Sequence, residues 1–215
     1  MNTGRKWAGL GLSGLLLVVA LVPAPAGAAA ASPANNTCSA ATELRERLEG
    51  VTEGVIDGRL AAVPRAAERS ATWWLTHRAK FDPGSTLDTL MQQLVTAAHR
   101  NQPRTAASLA VKISSQSFAW CPAATSDADA LMLLDLAGMT GWLRGRGQTL
   151  EWPSGVKAAT DTLVAHLVLR RHPGSAQRLR DAVAATLAEQ ASNRGDVVPA
   201  THLLELIDQL EQVLR

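Results

Sequence analysis

The sequence predicts an all-α protein, an antiparallel helical bundle built as two short four-helix units in tandem behind an N-terminal signal peptide. Three observations predict it. Apolar residues recur at three- and four-residue steps almost throughout, and no stretch alternates with the period of two that a half-buried strand requires. Clusters of Pro, Gly, Asn and Asp punctuate those stretches at short intervals, and short connections make neighbouring helices antiparallel. The apolar fraction, 47% of 215 residues, supports a sizeable core and excludes a disordered chain.

The leader comes first. Arg5 and Lys6 precede an apolar run from Trp7 to Val22, and an Ala-rich exit with Pro23 and Pro25 follows. This order of charge, apolar body and small residues is that of a secretory signal peptide over residues 1–34, with the mature chain starting between Ala29 and Asn35. An uncleaved anchor is the competing reading, and the Gly and Ser within the run weigh against it. Cys38 lies too far beyond the exit to accept a lipid, and no later stretch is long and apolar enough to span a bilayer. The balance of 21 Lys+Arg against 19 Asp+Glu lacks the basic excess of a dedicated nucleic-acid binder. Two cysteines in an exported chain read as one disulfide, Cys38 with Cys121, closing a long loop worth up to ~4.5 kcal/mol.

The first unit spans 38–122. Leu44, Leu48, Val51 and Val55 form one helical stripe, which Asp57-Gly58 ends. A second helix is expected over 60–81, with Pro64 in its first turn, where the missing N–H costs little. After Asp82-Pro83-Gly84-Ser85, a third carries Leu87, Leu90, Met91, Leu94 and Ala98. Asn101-Gln102-Pro103 opens a fourth, with Ala106, Leu109, Ala110 and Ile113. Adjacent Trp73 and Trp74 point about 100° apart on a helix, so one enters the core and the other would lie at an interface between the halves or on the surface as a binding anchor, with core packing the default.

The second unit spans 125–215. Thr125 or Ser126 caps a fifth helix whose first-turn acids, Asp127 and Asp129, suit the helix dipole. Pro153 opens a sixth, with Leu163, Val164 and Leu167; a seventh carries Leu179, Val183 and Leu187; an eighth carries Leu203, Leu206, Ile207 and Leu210. Pro-Gly-Ser recurs between the second and third helices of each unit, at 83–85 and 173–175, which fits a duplicated four-helix unit; reuse of favoured turn residues explains it equally simply.

Chemistry-bearing residues are few. Met132, Asp135 and Met139 share a face of the fifth helix, and two thioethers beside a carboxylate suit a soft cation such as Cu(I); the competing reading is Met as core filler. Asp135, set among leucines, requires a partner, and Arg170 or His166 on the sixth helix is the expected one. Arg170, Arg171, Arg178 and Arg180 surround one helix corner and would suit an anionic or acidic partner. Glu205 and Asp208 read as a solvated flank, and Arg194-Gly195-Asp196 as a turn. There is no covalent-haem motif, HExxH, GxSxG or phosphate loop. The expectation is therefore an exported, periplasmic or extracellular binding or adaptor module without evident catalysis or cofactor, whose partner is another exported or envelope protein. A metal- or haem-binding bundle is the alternative.

Overall fold

The computed structural model describes residues 33–81, 86–121, 126–192 and 194–214. The leader lies outside them except for Pro33 and Ala34, the first residues of a helix. Residues 82–85 and 122–125 also lie outside, and with them the expected break at Asp82-Pro83-Gly84-Ser85 and the candidate cap Thr125. Every regular element among the described residues is helical: α1 Pro33–Ile56, α2 Val63–His77, α3 Leu87–His99, α4 Pro103–Ser117, α5 Asp127–Gly145, α6 Val156–Leu169, α7 Pro173–Ser192 and α8 Val198–Leu214. Each coincides with a predicted apolar stripe. Local chemistry sets several ends. Pro occupies the first turns of α2 and α4. Ser126 caps α5 by accepting the Asp129 N–H, and Gly155 precedes α6 in the left-handed conformation, φ 86°.

Neighbours in sequence are neighbours in space. α1 packs on α2 and α4, and α3 packs on the same two; α5 packs on α6 and α8, and α7 on those two. α4 and α1 also touch α5, and the described residues share one continuous apolar core. α5 thus meets α1, α4, α6, α7 and α8. Its composition matches that position: from Ala130 to Leu143 every residue is buried except Met132 and Asp135. A helix apolar all round has to be surrounded. Close approach of α8 and the segment before it depends on α5 glycines. A Cβ on Gly138 would stand 2.7 Å from Leu204 Cδ2, and one on Gly145 2.7 Å from Val197 Cγ1.

Both tryptophans of the adjacent pair are in the core, the default reading, and neither lies on the surface as a binding anchor. Trp73 is 6% exposed and Trp74 2%. Each buries its ring yet satisfies its indole N–H with a carboxylate on a neighbouring helix. Trp73 Nε1 donates to Glu43 Oε1 at 2.7 Å, and Trp74 Nε1 to Asp88 Oδ1 at 2.6 Å. Trp74, Phe81 and Trp120 pack against one another with ring centroids 4.5–6.2 Å apart, the two indoles stacked and Phe81 tilted against both. Phe81 follows the short 3₁₀ turn Arg78–Lys80 and Trp120 ends the turn Phe118–Trp120; these turns finish the runs of α2 and α4. Beside this cluster Cys38 and Cys121 are bonded, with Cα atoms 5.3 Å apart.

The α7–α8 connection absorbs Arg194-Gly195-Asp196. Glu189 Oε1 accepts the Asp196 N–H at 3.0 Å, Arg194 pairs with Glu189 at 3.4 Å, and Asp196 Oδ1 accepts the Val198 N–H at the start of α8. Gly195 turns the chain at φ 79°. The tripeptide is a helix-capping turn.

Candidate functional site

Two places gather the polar residues singled out above. The first is a crevice where α5 meets α1 and α4. Along α1, Ala41, Arg45, Leu48, Thr52 and Val55 recur at helical spacing and all are buried, so Arg45 belongs to a core face. It is 3% exposed. Its Nε donates to Met132 Sδ at 2.9 Å, one Nη2 hydrogen bond reaches Thr42 Oγ1 at 2.9 Å, and Asp129 Oδ1 lies 3.8 Å away. The guanidinium also sits 4.0 Å above the Phe118 ring centre. Its Nη1 is buried with no hydrogen-bond partner among the described residues. Burial lowers the Arg45 pKa, against the pull of Asp129 and Glu46. An arginine stays charged regardless.

The structure brings Met132, Asp135 and Met139 into this crevice together with Arg45, Glu49, Thr52 and Phe118. The free space is small, enough for about one water molecule. Asp135 is half-buried and engaged, as is Glu49. The positive charge among the two thioethers and two carboxylates is already supplied, by Arg45. A soft cation would have to compete with that guanidinium for Met132. Among the described residues no three His, Cys, Asp or Glu side chains gather as a metal-holding set. The described histidines all lie at exposed or half-exposed positions, and His77, His99 and His166 are engaged with Trp73, Glu68 and Asp127.

The expected partners of Asp135 go elsewhere. His166 Nδ1 hydrogen-bonds Asp127, and Arg170 Nη2 lies 3.9 Å from the same carboxylate. α5 and α6 run antiparallel, which sets the end of α6 beside the start of α5. Asp135 is eight residues further along, about 12 Å of helix. It faces the crevice instead.

The second place is the basic corner after α6. Arg170 is exposed but tethered: besides facing Asp127 it donates from Nη1 to the Leu214 carbonyl at 2.9 Å, joining the ends of α6 and α8 to the start of α5. Arg171 follows in a left-handed turn, φ 63°. Arg178 donates to Ser175 Oγ, and Arg180 is exposed. Arg178 and Arg180 are two residues apart, hence about 200° apart around α7. They flank the buried Leu179 from opposite sides, so the four arginines do not form one cluster. Beside Arg170 and Arg171, however, two apolar side chains face solvent: Val168 is half exposed and Leu169 is 77% exposed. Val213, near the end of α8, is exposed as well. Glu205 and Asp208 are exposed on α8 and do not join Asp135.

Sequence reasoning missed Arg45 and the Asp127–His166–Arg170 group. The first had a signal in the second buried stripe of α1, which includes Arg45 and Thr52. No family model matches the chain, and no curated protein or solved structure is detectably similar to it.

Proposed function

We propose that this protein is an exported, non-catalytic binding module, which docks another exported or envelope protein through the corner formed by Val168, Leu169, Arg170 and Arg171. One observation carries the reading: among the described residues the most exposed large apolar side chain, Leu169, sits next to two arginines at a helix end held by Arg170. Exposed apolar side chains rimmed by polar groups mark contact surfaces, and Arg is enriched in interfaces. Charge complementarity selects a partner segment with an apolar residue flanked by Asp or Glu. The export component is supported by the leader pattern at the N-terminus and by the Cys38–Cys121 bond, which persists in an oxidising compartment. No helix among the described residues is long and apolar enough to cross a membrane.

The test is cross-linking in intact cells of the native source, comparing the natural chain with Leu169→Asp and Arg171→Glu variants. A discrete protein adduct should form with the natural chain and vanish with each variant, while circular dichroism stays unchanged. Adducts that persist in both variants, or binding confined to anionic lipid vesicles, would overturn the reading.

A further inference from the structure

We propose that Met132 is an oxidation site, converted by a peroxide to the sulfoxide, and that Arg45 receives the new oxygen. This rests on the crevice alone and is independent of the docking corner. Three features coincide there. Met132 is one of two residues not fully buried in α5 between Ala130 and Leu143, so small oxidants reach it. Its sulfur already accepts the Arg45 Nε–H at 2.9 Å. The same guanidinium keeps one buried nitrogen, Nη1, without a hydrogen-bond partner among the described residues, in a crevice with room for about one more small atom group.

A thioether is a weak acceptor, and a sulfoxide oxygen is a strong one. The reaction balances simply. The sulfur lone pair attacks one peroxide oxygen, the S–O bond forms and the O–O bond breaks. Sulfur loses two electrons, and the departing hydroxide takes the proton of the transferred hydroxyl to leave as water. The unpartnered Nη1–H of Arg45 is the donor left for the oxygen on which negative charge develops, and a fixed cationic donor to that oxygen lowers the barrier. Oxidation of a core methionine ordinarily disrupts packing, because it inserts a polar atom with nothing to pair with. Here the inserted oxygen meets a buried, charged donor. The sulfoxide should therefore be held in the folded state, reversible by methionine sulfoxide reductases. Met139 lines the same crevice but is buried, and Met91 lies in the core on α3.

The test exposes the full chain to graded hydrogen peroxide. Peptide mass spectrometry reads the gain of one oxygen at Met91, Met132 and Met139, and nuclear magnetic resonance follows the Arg45 Nε–H. Met132 should convert about tenfold faster than Met139, the gain expected from one charge-assisted hydrogen bond in the transition state. The Arg45 resonance should move in step with that conversion, and the circular dichroism should stay native. In Arg45→Lys the rate at Met132 should fall several-fold. Equal rates at Met132 and Met139, an unmoved Arg45 resonance, or an unchanged rate in Arg45→Lys would each overturn the proposal. Should Arg45→Lys fail to fold, Met132→Leu replaces it: under the same peroxide its Arg45 resonance must stay still, and a shift there would equally overturn the assignment.

Discussion

Glu189 shows how one side chain can make a turn pH-dependent. Its carboxylate accepts the Asp196 N–H and the Ser192 hydroxyl and pairs with Arg194. The Asp196 hydrogen bond is the main reason its pKa lies below the ordinary glutamate range, outweighing the opposing effect of desolvation. A carboxyl whose pKa is lower in the folded state takes up its proton first in the unfolded state. Its stabilisation is then complete above the ordinary range and is lost as pH falls through it toward the folded value. Urea unfolding at stepped acid pH should show this loss in the natural chain and a shallower one in Glu189→Gln, whose amide oxygen still accepts the Asp196 N–H. Parallel curves would remove Glu189 from the account. At this scale the sequence was partly legible. The shared face of Met132, Asp135 and Met139 follows from helical spacing, and the structure gathers them in one crevice. The partner of His166 and Arg170 did not follow, because it depends on the register between two antiparallel helices, which spacing within one helix leaves open.

Helices α1 and α5 offer a matched pair of glycines for testing packing against propensity. Gly50 lies in the body of α1, exposed, with nothing within 4 Å of where a Cβ would stand. Gly50→Ala should stabilise the protein by about 0.5–1 kcal/mol through backbone entropy and helix propensity. Gly145 ends α5 with Val197 Cγ1 2.7 Å from the corresponding Cβ position and two backbone carbonyl oxygens at 3.4 Å. Valine is stiff at χ1, so it has little room to swing away. Gly145→Ala should cost about 1–3 kcal/mol. Urea midpoints moving in opposite directions are the expected result; a stabilising Gly145→Ala would show that the α5–Val197 contact relaxes freely. The helices themselves were legible because Pro, Gly and capping residues stand between the stripes, as at Asp57-Gly58 and Gln102-Pro103. The burial of both Trp73 and Trp74 was less so. Each ring is admitted to the core by a carboxylate from another helix, Glu43 of α1 or Asp88 of α3, and neither is adjacent in sequence.

Across the whole molecule, α5 packs on α6, α7 and α8 and reaches across to α1 and α4, and its nearly unbroken apolar surface fits that position. Which helices α5 touches was not announced, since an all-apolar helix carries no direction. The disulfide is a covalent link of long reach, with Cys38 and Cys121 separated by 83 positions. Breaking it with Cys121→Ser should lower stability by ~2–5 kcal/mol, read from urea unfolding under non-reducing conditions.

That bond also reroutes tension. A pull applied at the two ends of the chain enters near Cys38, crosses the sulfur bridge to Cys121, and continues directly toward α5. The polypeptide between the cysteines, holding most of α1 and all of α2, α3 and α4, is a covalent bypass that carries no load. In a single-molecule stretching experiment this segment should stay folded or hidden while α5 to α8 extend. Adding a reductant should then release an extra length on the order of 290 Å.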